Sequence, residues 1–552
     1  MDVRIWCCLF NWVIDMTDRG LQWRPTLGFS ILIVVSVISL VSLSLVWNFV
    51  TDDAYISFVY ARNLARSGEL VFNIGERVEG YTNFLWTLML AAFLRAGLPP
   101  EIMSRLLGTL FGILGLFTSA FASRVMRDGR RFEVWDAVPA LFLATIPGYA
   151  CWSSGGLETQ MFTFLVTLGL SLELRRLRSE ESAPSSATAV VLGVAALTRP
   201  EGVLFFASLA GAGLSLDLVR RRVRFTTSVV RTLPFLALVA PHFLWRRYYY
   251  GWWLPNTYYV KASGSGAAWS QGGYYLWRVC VDFHLWVVPA LILAALAVVF
   301  LVRSGGDRKF AEIVWLLLPP ISLFLLYVAS VGGDFMGLYR FALPIVPILV
   351  ALCTEAMRIL LTGVSARLCT FVVASALIAH AAHSTVVIKR SLVIGADRGI
   401  DTPGYLKWYT LDRAAVGRWF GRQRQQDDYM VVGGAGAQVY YSDIPSLDCF
   451  GLSDAYVAHK VAATNTRPGH QKYAPLEYQL ARKPTIITSN YYKCCVDPWG
   501  WKPYQPTAQE ASFWGAKGYR FVSVRVPELS RPWYTFLLRA DRTMDSIDAA
   551  DP

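Results

Sequence analysis

The sequence predicts a polytopic α-helical membrane domain followed by an α+β domain outside the membrane, and three observations carry that fold class. Apolar residues make up 54% of the 552 and charged residues only 16%, with a positive mean hydropathy, a composition unlike that of one soluble domain. Long apolar runs recur from Leu27 to Ile388, separated by short loops whose arginine content alternates, which is how membrane topology is encoded. Beyond Lys389 these runs stop and short strand-like segments begin. The expected organisation is a cytoplasmic N-terminus over 1–26, a transmembrane domain over 27–388 and an extracytoplasmic α+β domain over 389–552.

The first run, Leu27 to Val50, carries no charge over the roughly 20 residues that span a bilayer. Arg4, Arg19 and Arg24 precede it, so it reads as an uncleaved anchor with its N-terminus inside. Thr51 is an N-cap residue and Asp52 and Asp53 suit the first turn of a helix, which should stop at Ser67-Gly68. Asp52 and Asn63, eleven residues apart, fall within about 20° of one face of that helix, with Arg62 beside them. Val71 to Tyr81 reads as a polar loop holding Glu76, Arg77 and Glu79.

Asn83 to Ala96 is too short to cross and reads as an interfacial amphipathic helix. Ile102 to Val125 crosses and ends in Arg124, Arg127, Arg130 and Arg131, which mark the cytoplasm. Further runs follow from Val134 to Ala150 and from Glu158 to Leu174, with a hairpin of two spans turning at Arg199-Pro200-Glu201. Continued to Ile388, the alternation gives about eleven spans and leaves the remaining chain outside. In that remainder Met430 to Val432, Pro484 to Ser489 and Tyr519 to Val526 are strand candidates. Gly433-Gly434-Ala435-Gly436 reads as a tight turn, since no phosphate-loop or dinucleotide signature follows it.

Composition excludes several functions. The net charge of +13 resides in arginines of short loops, which argues against nucleic acid. The nine cysteines and six histidines show no zinc-ligand spacing, and although an acidic pair can hold Mg²⁺, no third ligand is identifiable. Cys449 could pair with Cys494 or Cys495 in an oxidising compartment. A transporter is disfavoured, because no paired halves with broken helices and midplane ionisable groups are legible.

The polar motifs of the membrane half all fall on the outer side, and each has a structural account. Asp52 and Asp53 could serve only as a cap, Arg199 and Glu201 as a mutual ion pair, Glu158 as a complement to a helix dipole, and Asp334 as a cap or partner of Arg340. Asn256, Tyr258, Tyr259 and Lys261 lie in an aromatic loop that suits an interfacial belt. Together they describe one outer cleft of carboxylates, cations and aromatic rings, suited to a polyhydroxyl acceptor and a lipid-linked phosphate. One Asp would act as general base on the acceptor hydroxyl and cations would stabilise the leaving phosphate. Nucleotide sugars are absent outside the cytoplasm, so the expected donor is a polyprenyl-phosphate sugar.

An acidic pair after the first span, an interfacial helix, many spans and an extracytoplasmic C-terminal domain resemble the GT-C class of glycosyltransferases. More closely, the stretch from Asp52 to Trp86 resembles the family that includes the mycobacterial terminal β-(1→2)-arabinofuranosyltransferase and its wider bacterial relatives. The similarity extends through Gly156-Leu157-Glu158-Thr159, Thr198 to Gly202, Leu254 to Tyr259, Leu447 to Asp454 and Pro468-Gly469-His470. The resemblance implies that Asp52 or Asp53 is an essential carboxylate, that the donor resembles decaprenyl-phosphate arabinofuranose, and that the C-terminal domain helps to hold glycan. It puts Tyr81, Asn83 and His470 among the candidate substrate-binding residues. At Glu79-Gly80-Tyr81-Thr82-Asn83 the mycobacterial members carry Glu-Ala-Asn-Thr-Ser, so this chain follows the wider branch.

The functional expectation is a GT-C glycosyltransferase in the bacterial inner membrane, acting on an envelope glycan or glycoprotein at the outer face. The alternative is a non-catalytic envelope or flagellar-motor-associated protein that binds glycan or a partner through its large outer domain.

Overall fold

The computed structural model describes residues 25–179, 186–221, 225–261, 266–302, 309–464, 470–488 and 499–544. The first helix is Leu27–Trp47; the Thr26 hydroxyl caps it by accepting from the Phe29 amide, and it ends where Asn48 turns left-handed at φ 41°. Among the described residues seven helices are long and apolar enough to cross a membrane: Leu27–Trp47, Pro100–Arg127, Gly202–Val219, Ser228–Tyr250, Lys309–Ser330, Arg340–Leu360 and Ala366–Leu392. Two bent pairs raise the number to nine, Val134–Ala144 with Pro147–Ser154 at 70° and Ala267–Asp282 with Val287–Phe300 at 72°.

This is fewer than the eleven or so expected, for two reasons. Thr159–Ser179 is too polar to qualify by composition; Gln160, Thr163, Thr167 and Ser171 are tolerated because the helix is buried against Pro100–Arg127. Ala187–Thr198 has only 12 residues. The stretch expected as one straight span from Val134 breaks after Ala144, and the new helix starts on Pro147, whose missing N–H costs nothing in a first turn.

The helix Asp52–Ser67 begins and ends as the sequence suggests, stopping at Gly68 with φ +78°. Its environment is different from that of a surface helix, because every residue from Ala54 to Asn63 is buried. One side packs on Phe84–Arg95, and the other meets the C-terminal helices Pro403–Gln423 and Ala437–Ser442. The first carboxylates after the membrane are thereby sandwiched between the two halves of the protein.

The C-terminal domain has a short hairpin, β1 (Ala396–Asp397) and β2 (Ile400–Asp401), and a six-stranded mixed sheet. The sheet contains β3 (Met430–Val432), β4 (Ser446–Asp448), β5 (Ile486–Ile487), β6 (Trp499–Gly500), β7 (Tyr519–Arg525) and β8 (Trp533–Arg539). Its order is β4-β3-β5-β8-β6, with β7 also paired to β8. β3 runs parallel to both β4 and β5, and the later strands pair antiparallel to β8. Three of these strands fall on the segments read from sequence, while β4, β8 and the helix Pro403–Gln423 were not legible there. Cys494 and Cys495 lie outside the described residues, and Cys449 is buried at the end of β4.

Candidate active site

Two clefts meet at the start of the Asp52–Ser67 helix, and Asp53, Ile56 and Leu452 line both. One, of about 530 Å³, lies against the membrane domain and includes Asn83, Glu158, Arg199 and Arg340. The other, of about 810 Å³, lies against the C-terminal domain and includes Asp52, Asp401, Asp448 and His470.

The adjacent carboxylates Asp52 and Asp53 have different surroundings. The Thr51 side chain makes no cap bond, and Asp52 is not spent on its own helix either: its Oδ1 accepts from the Ala437 amide at 2.8 Å. A Cβ at Gly436 would lie 2.1 Å from the Asp52 carbonyl oxygen, so the glycine permits this close approach. Burial pushes the Asp52 carboxyl up to about 6, against the opposing pull of the Ala437 amide, with the Asp53 charge adding to the rise. Such a carboxyl favours the folded state while protonated, and that contribution is lost as pH rises from about 4 through 6. Asp52→Asn, whose amide oxygen can still accept from Ala437, is therefore expected to raise the melting temperature in detergent near neutral pH. The gain should shrink toward zero as the pH approaches 4; a gain independent of pH contradicts the assignment.

In the membrane-side cleft Arg199 is the hub. It donates to Glu158 at 3.1 Å and to Glu201 at 2.8 Å, and its guanidinium lies 4.8 Å from the centre of the Phe341 ring. Asn83 donates to Glu158 at 2.8 Å while its own oxygen accepts from Ser57 and Thr87, and Glu158 in turn accepts from Arg199, so the start of the Phe84–Arg95 helix, the Asp52–Ser67 helix and the turn at Arg199 are tied at one point. Arg340 is buried, paired with Asp334, and close enough to Asp53 for the two charges to interact. Tyr81 lines this cleft and shares a hydrogen bond with Tyr250 at 3.1 Å.

Other candidates stand outside the clefts. Arg62 donates to the Tyr440 carbonyl at 2.6 Å and pairs with Asp443 at 2.9 Å, which makes it a bolt between the two domains. Asn63 donates to the carbonyls of Val71 and Phe72 and so holds the following loop. Glu79 is paired with Arg246 at 2.8 Å inside the protein. Asn256 meets His459 at 3.2 Å, and Tyr259 packs on the same imidazole at 4.3 Å. Tyr258 is exposed, and the Lys261 side chain lies outside the described residues. The helical periodicity that aligned Asp52 with Asn63 is real, but the C-terminal domain and the loop consume the polar groups along that face.

Sequence reasoning assigned no site role to Asp401, Tyr405, Tyr409, Asp448 or Phe450, all of which line the second cleft. Asp448 and Phe450 sit in a stretch that the sequence singles out, Leu447 to Asp454, but with no role attached. Asp448 accepts from the amides of Phe450 at 3.0 Å and Ser453 at 2.9 Å, and burial still pushes its carboxyl up to about 6. Asp401 had no signal, since an Asp-Thr-Pro before a helix reads as a cap. Among the described residues no group of three or more His, Cys, Asp or Glu side chains is placed to hold a metal ion.

This arrangement has relatives. A family model described as a domain of unknown function, DUF8728, matches residues 405–537. The terminal β-(1→2)-arabinofuranosyltransferase of Corynebacterium glutamicum is 29% identical over 329 residues, covering 54% of this chain. The Mycobacterium tuberculosis protein of the same name is 30% identical over 253 residues, covering 43% of this chain. The chain spans less than half the length of each, 47% and 39%. Among solved structures, ArnT from Cupriavidus metallidurans bound to undecaprenyl phosphate superposes with a TM-score of 0.55 at 14% identity, over 93% of this chain and 97% of that one. The protein is thus a multi-pass membrane protein with the fold of the GT-C class, resembling the terminal β-(1→2)-arabinofuranosyltransferases in sequence.

Proposed function

We propose that the protein is a GT-C glycosyltransferase that moves a sugar, arabinofuranose, from a polyprenyl-phosphate donor to a hydroxyl of an envelope glycan or glycoprotein. The reaction takes place at the outer face of the inner membrane, with the C-terminal domain outside. The observation that carries this reading is the position of Asp53, on the wall shared by a cleft holding two guanidiniums and a cleft rich in carboxylates and aromatic rings. Asp53 is the general base, because it is the member of the acidic pair that lines both clefts, whereas Asp52 lines only one. Its carboxylate takes the proton of the acceptor hydroxyl, the hydroxyl oxygen bonds to the anomeric carbon, and the carbon–oxygen bond to phosphate breaks with its electron pair going to the polyprenyl phosphate. Arg199 and Arg340 stabilise the charge that develops on that leaving group, in a buried setting where such stabilisation is strongest. The lipid donor is supported by the undecaprenyl phosphate bound to ArnT, and the sugar by the names of the sequence relatives.

The test is mass spectrometry of envelope glycans from a strain lacking the gene, complemented with wild type or with the Asp52→Ala, Asp53→Ala double variant. Loss of one pentose that only wild type restores is the expected result. An unchanged profile counts against transfer and favours a non-catalytic envelope protein.

A further inference from the structure

We propose that a third pocket, at the membrane interface where the last span meets the β1–β2 hairpin, binds the headgroup of a phospholipid that carries a primary ammonium beside its phosphate, as phosphatidylethanolamine does. The pocket shares only Asp401 with the clefts described above, and the binding claim does not depend on the glycosyltransfer reading.

The first argument is position. The pocket, of about 450 Å³, is bounded by Asp282 at the end of the helix Ala267–Asp282, by Arg390 and Ser391 in the last turn of Ala366–Leu392, and by Asp397 and Asp401 of the hairpin. Ser391 accepts from the indole N–H of Trp47, the last residue of the first helix, so the pocket opens where two spans end on the side of the C-terminal domain. Trp277 and Trp286 on the neighbouring bent pair are exposed, and so are Val386 and Val393 beside Arg390. Tryptophans and apolar side chains around a polar pocket are the arrangement found at headgroup level. A lipid whose acyl chains cover that rim brings its headgroup to the pocket, whereas a soluble molecule gains nothing from the rim.

The second argument is chemical. Asp282 is 3% exposed, and its Oδ2 accepts from the Tyr339 hydroxyl at 2.6 Å and from Arg278 at 3.3 Å. Its Oδ1 is buried and receives no hydrogen bond; Arg390, itself exposed, comes only to 3.6 Å, beyond hydrogen-bond reach. The Nε–H of Arg278 is also buried without an acceptor, although its other nitrogens reach Asp282 and Asp397. An open acceptor on a buried carboxylate is costly, so the pocket suits a group that brings hydrogens to Oδ1. A bare anion is disfavoured, because three carboxylates, Asp282, Asp397 and Asp401, line the pocket against two guanidiniums. A zwitterion satisfies both signs, its ammonium donating to Asp282 and its phosphate oxygens accepting from Arg390. The ammonium has to be primary, since a trimethylammonium has no hydrogen to donate. Asp401 also lines the cleft against the C-terminal domain, and its backbone is bonded to Phe335 and Gly337, so a headgroup held here braces the hairpin beside that cleft.

The experiment is native mass spectrometry of the full-length protein, delipidated in detergent and titrated with phosphatidylethanolamine, phosphatidylcholine or phosphatidylglycerol of the same acyl chains. Wild type is expected to bind one phosphatidylethanolamine about 10-fold more tightly than either competitor, the effect of roughly one hydrogen bond to a charged group. Arg390→Gln is the primary variant because its side chain is exposed, and it should weaken phosphatidylethanolamine binding by about 10-fold. Asp282→Asn should abolish the preference for ethanolamine over choline; since Asp282 also holds Tyr339, Arg390→Gln carries the test if that variant does not fold. Phosphatidylethanolamine should also raise the melting temperature of wild type more than that of Arg390→Gln. Equal affinity of wild type for the three lipids, or unchanged phosphatidylethanolamine affinity in Arg390→Gln, overturns the assignment. Soluble O-phosphoethanolamine that binds as tightly as the lipid places the source of the group in solution and overturns the lipid assignment as well.

Discussion

Replacing Asp53 by Asn is expected to lower sugar transfer by about 10²- to 10⁴-fold, the usual contribution of a positioned general base. The side chain keeps its size but loses its charge, and with it both the capacity to accept a proton and the charge interaction with Arg340. Asp52→Asn should be far milder in rate, since an amide oxygen can replace the carboxylate toward the Ala437 amide. Single-turnover transfer from a radiolabelled polyprenyl-phosphate pentose, compared for both variants, reads the difference. If Asp52→Asn is the dead variant and Asp53→Asn retains activity, the base has been assigned to the wrong member of the pair.

Arg246→Met is expected to cost about 3–5 kcal/mol of stability, because it leaves a charged or forcibly neutralised Glu79 inside the protein. The pair is closed, with the Arg246 and Glu79 side chains only 3% and 2% exposed. Burial already pushes the Glu79 carboxyl up to about 7 even with the guanidinium beside it. The sign of the pH dependence follows. A carboxyl held above its ordinary value favours folding when protonated, so the deficit of Arg246→Met should narrow on acidification from about pH 8 to 5. Glu79→Gln combined with Arg246→Met should recover much of the loss, since no charge then remains to be buried. Melting curves of the purified proteins in detergent across that pH range decide it; a deficit that grows on acidification contradicts the account.

Glu79 also shows why a residue in a well-marked motif need not contact substrate. It lies next to Gly80, at which a Cβ would be 2.7 Å from the Leu452 carbonyl, and the Glu79 carbonyl accepts from the Asn256 amide at 2.9 Å. The segment from Glu79 to Asn83 thus serves as a strut between the membrane domain and the C-terminal loop at one end, and lines the membrane-side cleft at the other.

What the sequence determined by itself is whatever depends on neighbours along the chain. Apolar runs of bilayer length, arginines at their ends, a helix opened by Thr51-Asp52 and closed by Gly68, and three of the strands are consequences of local hydropathy and backbone preference. Where a span breaks was less legible, because Pro147 starts a helix as readily as it interrupts one. Tertiary structure alone decided which polar groups are committed. Arg62 reaches across 378 positions to the Tyr440 carbonyl, and Asp52 across 385 to the Ala437 amide. Asp53, one residue on, lines both clefts. Asp448 and Tyr405 become part of the same cavity only when β3 and β4 turn their carboxyl ends toward the membrane domain. Capping and pairing patterns act over one or two helical turns, whereas burial, which raises a carboxyl and decides whether a charge is structural or reactive, is a property of the assembled core.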